Sequence, residues 1–219
     1  MFKNFSKLAF ALWALTATIG YAQSIGDEAQ YKPYDELSIP SEDVVGPLQQ
    51  RVLYFAHFTC PYCRKAHTYI EEWGDQLPDP YQLEVVPAVG LKEHIPMAIA
   101  YYAVLQIRPT RLRDYEAALF VELQDRDGDV ANPWTYREAA KTIGIPEEEF
   151  NAAAGNDLTM GMVERAYALT TRYQIVEVPT VVLANRYRTG PGRVYNEQQA
   201  FVSLLNGLIS MDFRERYSR

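Results

Sequence analysis

The chain has 219 residues, a formal net charge of −7 and a composition in which 48% of the residues are hydrophobic. This apolar content indicates a packed globular core and excludes an intrinsically disordered chain. The length suits one domain, or one domain that carries a large insertion, and the acidic balance argues against nucleic acid or anionic lipid as a partner.

Residues 1–22 have the pattern of a secretory signal peptide. Lys3 and Lys7 precede an apolar run over residues 8–19, and residues 20–22, Gly-Tyr-Ala, place small side chains at the two positions that specify cleavage. The apolar run is shorter than the roughly 20 residues that a membrane-spanning helix needs. We therefore expect cleavage after Ala22 and a periplasmic protein, with an uncleaved anchor as the alternative.

Residues 23–50 form a polar segment with prolines at positions 33, 40 and 47, which predicts an extended leader into the fold. A segment of this length is too short to build a dimerisation domain, so we expect a monomer. Export would also place the protein where disulfides persist.

The folded region begins with a strand, a helix and a second strand. Residues 51–58 are rich in aromatic and branched side chains, as in a buried strand, and residues 81–89 have the same character. Between them, residues 61–73 show a helical pattern that ends at Gly74. This order predicts a βαβ unit with its reactive group at the carboxyl end of the first strand.

Cys60 and Cys63, the only two cysteines in the sequence, stand three positions apart at the start of that helix. Residues at this spacing on a helix are neighbours within reach of a disulfide. Pro61 suits the first helical position, and the N-terminus of a helix favours a thiolate. We expect Cys60 to be the nucleophile with a lowered pKa, and Cys63 to be the shielded thiol that resolves a mixed disulfide. An inert disulfide or a metal site is the alternative.

The middle of the chain is helical, and the end returns to strands. Apolar residues at helical spacing predict five consecutive helices. They cover residues 96–107, 110–124, 132–143, a short stretch from 146, and 158–173. Strand character returns at residues 180–184, a second, edge strand is expected to end at Tyr195, and a last helix follows over residues 196–210.

These elements and motifs resemble the thioredoxin superfamily and, within it, the DsbA-like thiol:disulfide oxidoreductases. The stretch Phe58-Thr59-Cys60-Pro61-Tyr62-Cys63 is similar to the active-site entry of DsbA, and Val178-Pro179 before a strand is similar to that family's Val–cis-Pro pair. Residues 144–153 resemble part of the family's helical insertion. The likeness covers residues 45–212.

The resemblance implies an α/β protein, a thioredoxin fold with an inserted all-helical domain. The 116 positions from Cys63 to Pro179 exceed what a simple thioredoxin domain has between these landmarks. The implied core covers residues 51–91 and 166–212, the helical insertion covers residues 92–165, and residues 213–219 form a C-terminal tail.

The resemblance also implies a function. Cys60 and Cys63 would form a redox-active disulfide that oxidises unfolded exported proteins, and a membrane oxidase of the DsbB type would restore it. No cofactor and no metal is implied.

Four further residues are implied at the active site. Pro61 and Tyr62 would neighbour the reactive sulfur, a cis Pro179 would pack beside the cysteine pair, and the backbone of Val178 would pair with an extended substrate. The contact surface is expected to be shallow and apolar, near Phe58, Tyr62 and Val178.

Two positions depart from the family pattern. Thioredoxin-like proteins often have a buried acid where this chain has Tyr54, and DsbA usually has His where this chain has Tyr62. Because that His stabilises the thiolate, Tyr62 predicts a less oxidising pair than that of a standard DsbA. His57, three residues before Cys60, could partly compensate, although a histidine in an aromatic strand is more often simply packed.

Two alternatives remain from the sequence. Within the same chemistry, the protein could be a disulfide isomerase or a reductase. In a different class, it could be a metal-binding module that uses Cys60, Cys63 and His67 as ligands, although a structural zinc site usually needs four.

Overall fold

The computed structural model describes residues 31–38 and 50–217. The predicted signal peptide and most of the predicted leader lie outside the described residues. Within the described ranges, no helix combines the length and the apolar character needed to cross a membrane.

A mixed sheet of five strands forms the centre of the described part of the chain. The strands are β1 (Asp35–Glu36), β2 (Arg51–Ala56), β3 (Gln82–Pro87), β4 (Thr180–Leu183) and β5 (Tyr187–Thr189). Their order across the sheet is β1-β5-β4-β2-β3. Strands β2 and β3 are parallel, and the other neighbouring pairs are antiparallel. Because β2 lies between two neighbours and is covered on both faces, its residues 52–56 are all buried, which explains their nearly continuous apolar character.

Helix α1 (Pro61–Gly74) connects the two parallel strands, as parallel neighbours require a crossover. Its first residue is Pro61, as predicted, and Cys60 is the N-cap. The helix ends at Gly74, where an added Cβ atom would lie 2.3 Å from Cδ2 of Leu83. Glycine at this position therefore lets α1 pack closely against β3.

The chain between β3 and β4 is helical. Its helices are α2 (Ile95–Ile107), α3 (Leu112–Phe120), α4 (Pro133–Thr142), α5 (Glu147–Ala154) and α6 (Asp157–Arg172), with 3₁₀ turns at Lys92–His94 and Pro109–Arg111 and a π-helical turn at Val121–Asp125. Helix α2 packs against α3, α4, α5 and α6, which explains why it is apolar on nearly every face. The predicted boundary at residue 165 falls inside α6, so this single helix leads from the insertion back to the sheet.

The last helix, α7 (Gln198–Tyr217), is longer than predicted. The prediction of a tail from residue 213 is wrong for residues 213–217, which are helical. The buried Asp212 explains the extension, because its carboxylate accepts hydrogen bonds from the Tyr81 hydroxyl at 2.7 Å and from Nε of Arg216 at 2.7 Å. These contacts hold the end of the helix against the sheet.

The predicted edge strand ending at Tyr195 is also corrected. Strand β5 ends at Thr189, and Pro191–Val194 form a 3₁₀ turn. Pro191 has no N–H to continue the ladder, so the strand stops before it. Tyr195 then adopts a left-handed conformation with φ of 57°, which reverses the chain into α7.

Part of the predicted leader belongs to the sheet, since strand β1 lies within the leader and pairs with β5. Asp35 accepts hydrogen bonds from Arg188 at 2.9 Å and from Arg193 at 3.1 Å. The backbone N–H of Leu37 donates to the carbonyl of Arg186 at 2.7 Å. The leader thus covers the outer edge of the β5 strand.

Candidate active site

Cys60 lies where the buried strand β2 turns into helix α1. Its backbone N–H donates to the carbonyl of His57 at 2.9 Å, which closes the short turn between the two elements. Cys60 itself is extended, with φ of −84° and ψ of 118°, and Pro61 begins the helix. Its sulfur is only partly buried. The strand-to-helix junction thus holds a reachable thiol at a helix N-terminus.

The surroundings of Cys60 favour its thiolate. A hydrogen bond from the Cys63 thiol, followed by the backbone N–H groups of Cys63 and Tyr62, lowers the pKa of Cys60 to about 6, although burial opposes the shift. The Cys63 N–H lies 3.4 Å from the Cys60 sulfur. Near neutral pH, Cys60 is therefore mostly ionised, which makes it the stronger nucleophile and the better leaving group of the pair.

Cys63 has the opposite character. It has no exposed surface, and its sulfur accepts a hydrogen bond from the backbone N–H of His57 at 3.4 Å. Its hydrogen bond to Cys60 and its burial raise the pKa of Cys63 far above that of an ordinary thiol. The two sulfurs are thus divided into an exposed thiolate and a shielded, protonated thiol.

The predicted Val178-Pro179 pair lies directly beside Cys60. The peptide bond between them is cis, as predicted, and the Cys60 thiol, when protonated, donates to the Val178 carbonyl oxygen at 3.4 Å. A Cβ atom at Gly190 would approach the Pro179 carbonyl oxygen to 2.7 Å, so glycine there leaves room for this loop. Residues 60 and 178 are distant in the sequence, and the fold brings them into contact.

The surface around Cys60 includes an exposed ring and a cavity. Pro61 is exposed, and Tyr62 is 56% exposed next to it. A cavity of about 320 Å³ opens on the other side of Cys60, lined by Val176 and Val178 among others.

The expected contribution of Phe58 to the substrate surface is wrong. Phe58 has no exposed surface. Its ring packs against Phe120 at 5.0 Å and Tyr101 at 6.1 Å between centroids. It anchors the active-site loop to the helical insertion instead.

Of the two interpretations of His57, the structure favours a packed side chain over one that compensates for Tyr62. Burial and then the neighbouring His94 lower the pKa of His57 to about 4, so its ring is neutral near pH 7. The two rings are 4.4 Å apart, and Nδ1 of His57 lies 2.7 Å from the Thr59 hydroxyl. His57 therefore contributes its backbone N–H, rather than a positive charge, to the cysteine pair.

Tyr54 lies beneath the cysteine pair without replacing the buried acid. Its hydroxyl donates to the Cys63 carbonyl at 3.4 Å. Burial, with a smaller contribution from the charge of Cys63, raises the pKa of Tyr54 well above its usual value. Because the hydroxyl stays protonated, it cannot exchange protons with Cys63 near neutral pH.

Sequence reasoning missed Gln124, which holds the active-site loop. Its side-chain amide donates to the carbonyls of Phe58 at 2.8 Å and Cys60 at 3.1 Å. It lies in the π-helical turn, and its neighbour Asp125 pairs with Arg64 of α1 at 2.6 Å. No local signal in the sequence connects residues more than 60 positions apart, although π-helical turns often mark functional sites.

The ligand set proposed for a metal-binding module is not assembled around the cysteines. Among the described residues, the group with suitable spacing is His67, Glu71 and Glu116, and neither cysteine belongs to it. His67 is 94% buried, since only 6% of its surface is exposed. Among the described residues, His67 therefore shares metal-ligand spacing with two carboxylates rather than with the cysteines.

Comparison with known proteins gives one consistent result. No model of a known protein family matches the chain. The chain is similar to thiol:disulfide interchange protein DsbA from Burkholderia cepacia, at 24% identity over 185 residues, or 84% of this chain and 86% of that protein. It is 26% identical over 181 residues to DsbA from Pseudomonas aeruginosa PAO1, which covers 81% of this chain and 83% of the relative.

A solved structure agrees with the predicted fold. The crystal structure of Pseudomonas aeruginosa DsbA matches with a TM-score of 0.75 at 23% identity, over 86% of this chain and 95% of that one. The predicted thioredoxin fold with an inserted all-helical domain is confirmed.

Proposed function

We propose that this chain, a DsbA-like thiol:disulfide oxidoreductase, acts as an oxidase. It would introduce disulfides into unfolded exported proteins through Cys60 and Cys63. The observation that carries this proposal is the division of the pair into a partly exposed thiol with a pKa of about 6 and a buried thiol with a raised pKa. A low pKa on the exposed thiol stabilises the reduced form, which makes the disulfide form a stronger oxidant.

The proposed reaction begins with the Cys60–Cys63 disulfide. A substrate thiolate attacks the Cys60 sulfur, the bond between the two enzyme sulfurs breaks, and Cys63 leaves and takes up a proton. A second substrate thiolate then attacks the substrate sulfur of the mixed disulfide, and Cys60 leaves as a thiolate. The substrate has lost two electrons and gained a disulfide, and the enzyme holds two reduced cysteines.

The environment of each sulfur suits its proposed step. Cys60 is a good leaving group in the second step because its thiolate is stabilised. Cys63 is shielded, so it attacks the mixed disulfide only when no second substrate thiol arrives. Cys63 then expels the substrate and restores the enzyme disulfide, which provides an escape from stalled complexes.

We propose that substrates bind as extended chains beside Val178. The Val178 carbonyl faces the Cys60 sulfur, and the adjacent cavity is open and partly apolar. Main-chain pairing with an extended segment tolerates many sequences, as a general oxidase requires. Pro61, Tyr62 and the cis Pro179 complete the proposed rim.

Export and re-oxidation belong to the same proposal. The signal-like residues 1–22 would direct the chain to the periplasm, where a disulfide persists. Each cycle leaves the enzyme reduced, so an electron acceptor is required, and a membrane oxidase of the DsbB type would supply it. The enzyme would act as a monomer.

The deciding experiment is the reduction potential of the Cys60–Cys63 couple, measured in glutathione buffers. A thiol pKa of about 6 lies between the values of about 7 for thioredoxin and about 3.5 for DsbA. We therefore expect a potential between about −270 and −120 mV. The protein should oxidise a reduced, unfolded ribonuclease faster than it reshuffles a scrambled one.

Two results would contradict the proposal. A potential at or below about −270 mV would indicate a reductase. Faster recovery of activity from scrambled than from reduced ribonuclease would indicate an isomerase.

A further inference from the structure

A second cluster of reactive side chains lies between helices α1 and α3, away from the cysteine pair. His67 and Glu71 are one turn apart on α1, and Glu116 faces them from α3. Nε2 of His67 lies 3.2 Å from Oε2 of Glu116 and 3.6 Å from Oε2 of Glu71. The proposed oxidase reaction uses none of these three residues.

These groups are buried without the hydrogen bonds that burial normally requires. Glu116 is 1% exposed, and neither of its carboxylate oxygens has a hydrogen-bond partner. Both ring nitrogens of His67 also have none, because its close approach to Glu116 does not have hydrogen-bond geometry. A buried carboxylate without hydrogen bonds costs roughly several kcal/mol of stability unless a cation compensates for it.

The distances suit a small metal ion. One ligand atom from each of the three residues lies within 4.8 Å of the others. Ligand atoms at about 2.0–2.2 Å from a tetrahedral zinc ion are about 3.3–3.6 Å from one another. The two distances from Nε2 of His67, 3.2 and 3.6 Å, bracket that range closely.

The charge around the cluster also favours a divalent cation. Arg113 donates from Nε to Oε1 of Glu71 at 3.2 Å, and its other nitrogens pair with Asp75. Arg113 is shared between Glu71 and Asp75, while Glu71 and Glu116 bring two acidic side chains to one imidazole. The Arg113 contact also fixes the Glu71 carboxylate with its other oxygen toward His67, as outer-sphere partners do at metal sites.

A route to the cluster exists from solvent. A cavity of about 530 Å³ is lined by His67, Glu71 and Arg113. It admits an ion and leaves room for a water ligand. A closed ion-pair network would not need such an opening.

We propose that His67, Glu71 and Glu116 bind one Zn²⁺ ion, through Nε2 of the imidazole and one oxygen of each carboxylate, with water from the cavity as the fourth ligand. The ion compensates the buried carboxylates and ties α1, which holds the cysteine pair, to α3 of the helical insertion. The competing possibility is a cluster compensated by protons alone.

The test is calorimetric titration of the oxidised protein with ZnCl₂. The Cys60–Cys63 disulfide is kept intact so that the thiols cannot coordinate the ion. We expect one Zn²⁺ per chain, and a loss of affinity of at least about 100-fold in His67→Gln and in Glu116→Gln. The control His94→Gln, which removes a histidine outside the cluster, should bind like the unaltered protein.

Two further measurements keep the test decisive if a core variant fails to fold. Glu71→Gln changes the most accessible of the three ligands and should also weaken binding. X-ray absorption of the zinc-loaded protein should show nitrogen and oxygen neighbours at about 2.0–2.2 Å and no sulfur at about 2.3 Å. The proposal is overturned by the absence of stoichiometric zinc, by unchanged affinity in folded cluster variants, or by sulfur ligation.

Discussion

The Cys60 sulfur lies 3.4 Å from the carbonyl oxygen of Val178, a residue 118 positions later in the chain. This contact joins the two segments of the thioredoxin-like core that the helical insertion separates in the sequence. A substrate chain paired with the Val178 backbone would place its own sulfur beside Cys60. The backbone at Val178 would therefore both orient the substrate and bring the substrate sulfur to the site of electron exchange.

The two cysteines should fail in different ways when substituted. Cys60→Ser should abolish oxidation of reduced client proteins, because the reachable sulfur is lost. Cys63→Ser should retain attack by Cys60 on a disulfide-bonded client but lack the resolving thiol, so mixed disulfides should accumulate. Non-reducing gel electrophoresis with mass spectrometry checks both. A Cys63→Ser protein that traps no client while Cys60 remains accessible would show that the roles are misassigned.

The ionisation of Cys60 should depend on Cys63 more than on His57. We expect thiolate absorbance of the reduced protein to titrate with a pKa near 6. In Cys63→Ala, the pKa of Cys60 should rise toward the ordinary value of about 8.5, because the largest stabilising hydrogen bond is lost. His57→Phe is the matched control. The pKa of Cys60 should hardly change in this variant, because the His57 ring is already neutral. A large shift in His57→Phe with none in Cys63→Ala would contradict this assignment.

The contribution of Cys60 to the stability of the reduced protein should rise with pH between about 5 and 8. The pKa of Cys60 is about 6 in the folded protein and about 8.5 in an unfolded chain, so the unfolded state binds more protons in this range. The stabilisation is complete only above the unfolded value and is lost as the pH falls through 6. Above about pH 8 the raised pKa of Cys63 opposes it, since the unfolded chain then ionises that thiol. Urea unfolding under reducing conditions, compared with Cys60→Ala, measures the difference. Parallel pH profiles for the two proteins would refute the expectation.

Gln124 should stabilise the active-site loop from the helical insertion. Gln124→Leu leaves the Phe58 and Cys60 carbonyls without their donor, and we expect the free energy of unfolding to fall by about 1–3 kcal/mol. Amide hydrogen exchange should also become faster in the loop before α1. Gln76→Leu removes an exposed hydrogen bond to the Glu72 carbonyl and should have little effect. Equal losses in the two variants would show that Gln124 has no special role.

Asp212 should be essential for the packing of the last helix. Its carboxylate is fully buried and contacts Tyr81, Arg186 and Arg216. Asp212→Ala removes the buried acceptor of Tyr81 and of the two arginines, and we expect a loss of about 1–3 kcal/mol in unfolding free energy. The exposed pair of Asp114 with Arg111 offers a control, since Asp114→Ala should cost at most about 1 kcal/mol. Denaturant unfolding compares the two, and similar losses would disprove the structural role of Asp212.

The parts of the fold predicted correctly depend on local chemistry. The cis bond at Val178-Pro179 was implied by the resemblance to the DsbA-like family. Pro61 after Cys60 marks a helix start, and the apolar run of β2 marks a buried strand. Each of these signals acts within a few residues. The spacing between the cysteine pair and Pro179 indicated additional residues, and the resemblance identified them as a helical insertion.

The parts that were missed depend on contacts between distant residues. Gln124 bonds to a loop more than 60 positions earlier, and Glu116 meets His67 only when α3 packs on α1. The early end of β5 follows from Pro191, but the continuation of α7 depends on Asp212 meeting Tyr81 from another element. Single-sequence periodicity has no information about such pairings.

The two-residue strand β1 has a consequence for the proposed binding of extended clients. An open strand edge is a template on which another chain can add as a further strand. Here Asp35 pairs with Arg188 and Arg193, which holds the leader along the edge of β5. Under the proposed function, an extended client would find this edge of the sheet already paired, and its main-chain pairing would be directed to the backbone beside the reactive sulfur.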